Sequence, residues 1–108
     1  MKVFYVDETS TPKQEFEGGH TIELISEKTV GARNKFRVGT IVYKDYHYSG
    51  RHDVQEAIYI LEGSGTAVVG DAEIEIFPGR VLYIPAGEEH YIKEVKDKEI
   101  KALLIHSI

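Results

Sequence analysis

Apolar and polar residues alternate with a period of two along most of the chain. Glu73-Ile74-Glu75-Ile76-Phe77 is the clearest case and predicts a strand with one wet face. Ala57–Leu61, Val81–Ile84 and Ala102–Ile105 are short continuous runs rich in β-branched or aromatic residues. Bounded by turn residues, they predict strands buried on both faces. Lys2–Val6, Thr21–Ser26 and Phe36–Tyr43 carry a similar signal. Between the runs stand Gly63-Ser64-Gly65, Gly70-Asp71, Pro78-Gly79, Pro85-Ala86-Gly87 and Lys96-Asp97-Lys98. Glycine supplies positive φ and proline presets a turn, so this punctuation predicts successive hairpins. No window of helical length carries a 3.6-residue apolar stripe. Ser26–Arg37 has room for a helical turn, but Gly31 and Asn34 make it read as a loop.

Eight or more short antiparallel strands within 108 residues predict one all-β domain spanning residues 1–108. A small β-barrel or jelly-roll sandwich fits best, because closure removes exposed strand edges. With 42% hydrophobic and 29% charged residues the chain has the make-up of a folded globular domain, not of a disordered one. The absence of Cys excludes disulfides, thiolate-bound zinc, iron–sulfur clusters and a cysteine nucleophile. A formal net charge of −5 with scattered lysines disfavours nucleic-acid binding, which needs a basic face to displace counterions. No run of about 18 apolar residues is present to span a membrane, and MKVFYVDETSTP lacks the apolar stretch of a signal peptide. A cytoplasmic protein is the expectation.

Five histidines occur, and two stand in defined contexts. His52, Glu56 and Gly63 form the pattern H-x3-E-x6-G. Gly79, Pro85, Gly87 and His90 form G-x5-P-x-G-x2-H. Imidazole nitrogen and carboxylate oxygen are good ligands for a divalent first-row metal, and two His with one carboxylate leave coordination positions open. These two blocks resemble the paired signature motifs of the cupin superfamily, the first over about residues 46–63 and the second over about 79–94. The resemblance implies a double-stranded β-helix (jelly-roll) barrel with a mononuclear metal site at His52, Glu56 and His90. The metal would be a divalent transition metal, one of Fe, Zn, Mn, Co or Ni.

The departures carry weight too. The family's first motif has H-x-H, and the first His would fall at Gly50. His47, five residues before His52, can join as a fourth ligand if Tyr48–Arg51 loops or bulges. The leading Gly of the first motif is missing, Glu94 replaces the closing Asn of the second, and Arg80 stands where Asp is usual. His20 and His106 fall outside both motifs, although His106 follows an apolar strand and could point inward. The seven tyrosines are expected mostly to fill the core, one of them being able to offer a phenolic donor to a ligand. Arg51 and Arg80 are expected in surface salt bridges, and Arg33 and Arg37 carry no signal. Glu73, Glu75, Glu88 and Glu89 read as solvated, with Glu88 or Glu89 a weak candidate acid or base.

Three functions follow as expectations. The first is a metal-dependent enzyme on a small molecule, with dioxygenase or isomerase, epimerase or lyase chemistry; His47, Glu88 or a tyrosine would be its acid or base, and no catalytic residue is fixed by the motifs. The second is a non-catalytic binding module for a sugar or small acid. The third is an oligomerisation role: small cupins resemble one another in forming homodimers, and Lys2–Val6 and Ile100–Ile108 are the segments expected at such an interface.

Overall fold

The computed structural model of the protein describes residues 5–30 and 35–107. Among them are ten strands: β1 (Gln14–Phe16), β2 (Gly19–Ile25), β3 (Phe36–Tyr43), β4 (His47–Gly50), β5 (Glu56–Glu62), β6 (Gly65–Val69), β7 (Ala72–Ile76), β8 (Val81–Ile84), β9 (His90–Val95) and β10 (Ile100–Ser107). Six form one antiparallel sheet in the order β1-β2-β3-β10-β5-β8, and four form a second in the order β4-β9-β6-β7. This is the all-β jelly roll that the alternation predicts. A single helical turn, Glu27–Val30, stands in the segment expected to be a loop, whose residues 31–34 lie outside the described residues.

The expected succession of hairpins is only partly realised. Consecutive strands pair at β1-β2, β2-β3 and β6-β7, whereas the other connections carry the chain from one sheet to the other. Glycine marks such a crossing at Gly63, between β5 and β6. Its φ is 91°, and an added Cβ would stand 2.2 Å from the Glu99 carbonyl oxygen, so both backbone shape and space demand glycine there.

The inner faces of the two sheets meet over Ile41, Ile58, Ile60, Ile76, Leu82, Ile84, Ile92 and Ile100. Ile60, Ile76, Ile84 and Ile100 are the largest fully buried side chains, each worth about 1.5–3 kcal/mol in removal from water. The continuous apolar runs are not buried on both faces as expected. In β5 and β8 every second residue turns outward, leaving Tyr59, Leu61, Val81 and Tyr83 exposed on the outer face of the six-stranded sheet. The tyrosines follow suit: Tyr43 is buried, while Tyr46, Tyr48, Tyr59 and Tyr83 are exposed, correcting the expectation that most fill the core.

Of the strand expected at Lys2–Val6, residues 2–4 lie outside the described residues, and Tyr5 and Val6 are not in a strand. The segment instead crosses the outer face of β3 and β10 through Glu8. Thr40 Oγ1 donates to Glu8 Oε2 at 2.5 Å and Lys101 Nζ to Glu8 Oε1 at 2.7 Å. These bonds, Lys101 first and Thr40 second, hold the Glu8 carboxyl below its ordinary value of 4.5, and Glu8 in turn raises Lys101. A carboxyl with a lowered folded pKa stabilises fully above its unfolded pKa and loses that contribution as pH falls through the folded one. Glu8→Gln is therefore expected to cost about 1 kcal/mol in denaturant unfolding near neutral pH, with the difference from the parent vanishing in acid; a pH-independent difference would count against the charged clasp.

Candidate metal centre

Three strand ends and one loop build the site. Glu56 opens β5, His90 opens β9, His106 lies next to last in β10, and His52 sits in the loop between β4 and β5. In the six-stranded sheet Glu56 stands opposite Ile84 on one side and His106 on the other, so its side chain shares their inward face. Glu56 and His90 are each only 4% exposed, too deep for an unpaired charge. The glycines of the second motif hold this arrangement. Gly87, with φ 81°, donates its N–H to the His52 carbonyl at 2.7 Å, tying the Pro85-Ala86-Gly87 turn to the loop that carries His52. Gly79 donates its N–H to the Ile60 carbonyl at 2.9 Å and so pins the preceding turn to β5.

One ligand atom from each of His52, Glu56 and His90 lies within 4.8 Å of the others. His90 Nε2 is 3.8 Å from Glu56 Oε1, and His52 Nε2 is 4.0 Å from Glu56 Oε2. Ligands at about 2.0–2.2 Å from one ion stand roughly 3–3.5 Å apart, so small side-chain movements bring these groups to bonding distance. The protonation pattern suits this as well. His90 Nδ1 lies 3.2 Å from the Glu88 carbonyl oxygen. A carbonyl can only accept, so Nδ1 carries the proton and the Nε2 lone pair faces Glu56. Burial first lowers the His52 pKa; Glu56 opposes, and the charges of His90, His106 and Arg37 reinforce the lowering. A neutral imidazole is the form that binds a metal. The donor set fits a divalent transition-metal ion.

His106 is the residue that the motifs miss. Its Nε2 contacts Glu56 Oε2, and because a carboxylate only accepts, His106 Nε2 is the donor. This leaves Oε1 toward His90 and fixes the plane of the carboxylate. Its place after an apolar strand allows it to point inward, as the sequence suggests; the β5-β10 register is what sets it across from Glu56.

His47 stands opposite Ile92 in the β4-β9 pair, and Gly50 opposite His90, with a register irregularity between Tyr48 and Gly50. The bulge that sequence considerations require is thus present. It places His47 near the aromatic rings of Phe16 and Tyr43, at centroid distances of 4.5 and 5.6 Å, outside the three-residue group. Burial, and then the nearby His90, lower its pKa. Gly50, at the place of the family's first His, has φ 80° and contributes no side chain. His20 lies on β2, on the face away from Thr21.

The other charged candidates lie outside the cluster. Glu89 accepts the Tyr48 hydroxyl at 2.9 Å and lies 3.8 Å from Arg51; the Glu88 carboxylate packs against Gly70. Arg80 stacks on Phe77 at 4.3 Å and donates to the Glu75 carbonyl.

Residues 40–106 match the family model described as a cupin domain. None of the curated proteins matches the chain. Among solved structures, a variant of Bacillus subtilis oxalate decarboxylase superposes with TM-score 0.85 at 17% identity, over 99% of this chain and 30% of that one. The Lactobacillus farciminis oxalate decarboxylase formate complex gives 0.84 at 20%, over 99% and 33%. The polyketide cyclase RemF from Streptomyces resistomycificus gives 0.80 at 18%, over 98% and 80%. The B. subtilis enzyme has Mn(II) centres. At these identities the likeness is one of fold, and the chain spans about a third of the oxalate decarboxylases.

The contact between His106 and Glu56 predicts that His106→Asn weakens Co(II) binding by about ten- to a hundredfold in spectroscopic titration of chelator-stripped protein. Unchanged affinity would remove His106 from the site.

Proposed function

Given that the chain belongs to the cupin family, we propose that it is a metal-dependent enzyme acting on a small molecule, with a mononuclear divalent ion held by His52, Glu56 and His90. The observation that carries the proposal is a buried carboxylate facing two imidazole nitrogens within 4.8 Å, one of them with its lone pair directed inward by a backbone carbonyl. A bound divalent ion supplies Lewis acidity toward a carbonyl or enolate and, where redox-active, electron-transfer chemistry with dioxygen.

The chain's own residues supply the rest. His106 holds the Glu56 carboxylate in place. Burial, then the Glu56 charge, raise the Tyr43 pKa and keep its phenol protonated, a donor inside the barrel. His47 is the group best suited to move a proton on the β4 side, because burial, and then the charge of His90, lower its pKa and favour the neutral imidazole that can accept one. The same residue is the candidate fourth ligand. The reaction class, oxygenation on one hand or isomerisation, epimerisation or elimination on the other, follows the metal.

One observation favours a second reading, a non-catalytic cupin that binds a sugar or small acid. Gly50 removes the family's first ligand, and nothing on β4 enters the three-residue group. Elemental analysis of untagged protein purified without chelator separates the two. Near one equivalent of metal per chain, lost in His90→Ala and His52→Ala, is the expected result. Iron would direct oxygen-uptake assays; zinc, manganese, cobalt or nickel would direct isomerase and lyase assays. Absence of metal after anaerobic reconstitution would favour the binding module.

A homodimer is also proposed, with β8 as the edge that carries it; residues 2–4 and 108 of the segments expected at an interface lie outside the described residues. β10 is hydrogen-bonded on both sides and presents no edge. β8 is an edge strand without a single charged residue, and its outward Val81 and Tyr83 are 55% and 58% exposed. Edge strands are ordinarily blunted by charge, and this one can meet its own copy across a two-fold axis. Val81→Lys should shift the protein from dimer to monomer in light scattering with its circular dichroism unchanged; a monomeric parent at the highest soluble concentration would exclude the interface.

A further inference from the structure

The register of β10 aligns three functional side chains in one row. His106 stands opposite Glu56 of β5 on one side and opposite Arg37 of β3 on the other. All three belong to the inward face that also carries Ile58, Leu104 and Gly39. Two strand spacings of about 4.8 Å put the Arg37 backbone roughly 10 Å from that of Glu56.

A cavity of about 260 Å³ lies at this end of the sheet, lined among others by Thr21, Glu23, Arg37, Leu104 and His106. It therefore shares His106 with the candidate metal centre. Gly39 lines it without a side chain, and Leu104 makes an apolar wall. Among the described residues the Arg37 side chain, which is exposed, makes no ion pair or hydrogen bond, although Glu23 lines the same cavity. A guanidinium left without a partner in a concave site beside a metal-binding cluster is suited to a carboxylate, which its donor fork grips in two places.

We propose that this cavity is the substrate-anchoring subsite, in which Arg37 takes the carboxylate of a small organic acid while the rest of the ligand extends past His106 toward Glu56. The proposal rests on the reading of the site as one for small molecules and adds the substrate class. At about 30 Å³ per water the cavity equals eight or nine waters, which sets the acid at about ten non-hydrogen atoms. Leu104 favours an apolar body, and Glu23 and Thr21 can accept from a hydroxyl on it. The sequence alone gave Arg37 no role, because its position beside His106 exists only through strand pairing.

The test uses mandelate, an acid of this size with a hydroxyl and an apolar ring, and its neutral amide as the control. Calorimetry is run on chelator-stripped and on metal-loaded protein, with metal content measured separately. The parent is expected to bind mandelate with a Kd of about 1 mM or tighter, and mandelamide at least about tenfold more weakly. Arg37→Gln should lose that preference while retaining the parent's metal content; Arg37→Lys, which keeps the charge without the fork, should fall between. Leu104→Phe, which fills the cavity without touching Arg37, should weaken both compounds and serves if Arg37→Gln proves unstable. Equal binding of acid and amide, an unaffected Arg37→Gln, or no binding to the parent would each overturn the subsite whatever the metal content. Arg37-dependent binding to protein that takes up no metal would uphold the subsite and remove the metal reading.

Discussion

A carboxylate buried to 4% exposure is the constraint around which this fold is arranged. Removing Glu56 from water unpaired would cost several kcal/mol, so its surroundings must supply polar partners. They come from three separate places: His106 from the neighbouring strand, His90 from the opposite sheet and His52 from the loop four residues upstream. No single hairpin could deliver them. The jelly-roll path, in which the chain repeatedly changes sheets, brings β5, β9 and β10 to one end of the barrel, with the isoleucine core filling the interior. Packing and chemistry are thereby divided along the same strands. Ile58 and Ile60 follow Glu56 on its own face of β5, and Ile92 follows His90 on β9.

The turns explain why the second motif has its shape. Gly79 and Gly87 both adopt positive φ with open space around them, so conformation rather than crowding selects glycine. Each spends its N–H on the strand or loop that carries a metal-binding candidate: Gly79 on β5, Gly87 on His52. The second motif therefore presents His90 and also fixes the two groups that His90 must face. The bulge in β4 has the opposite consequence. By turning both His47 and Gly50 inward, it places a glycine opposite His90 and moves the imidazole of β4 toward Phe16 and Tyr43.

What could be read from the sequence was local. Phe36–Tyr43 and Val81–Ile84 are strands with those bounds, because β-branched runs between turn residues leave little alternative. His52, Glu56 and His90 were legible through fixed spacings to Gly63, Pro85 and Gly87. β1, β4 and β6 are not marked as strands by the sequence, since Gln14-Glu15, Tyr48-Ser49-Gly50 and the glycines Gly65 and Gly70 dilute the apolar signal. The burial of whole runs was overestimated in β5 and β8: a continuous apolar run does not say whether a second layer covers its outer face. His106 is legible only as a residue after an apolar strand that can point inward, and Arg37 carries no signal, for a different reason. Their meaning depends on long-range pairings of β10, separated from Glu56 by 50 residues, and no nearby residue records that register.

β10 is thus more than a central strand. It is hydrogen-bonded to β3 and to β5, and its inward Ala102, Leu104 and His106 each have a neighbour on both sides. Because strand side chains alternate with a strict period of two, a slip of one residue in this strand would send His106 outward and Leu103 and Ile105 into the interior. The same slip would break the Lys101 contact with Glu8 on the outer face. The outer clasp and the inner site are consequently set by one register: Glu8 holds Lys101 and Thr40 on one surface while Glu56 and Arg37 flank His106 on the other. A site assembled from this row inherits the rigidity of a strand paired on both sides. That is a physical reason for a positioning histidine to lie on β10 rather than on the bulged and glycine-containing β4.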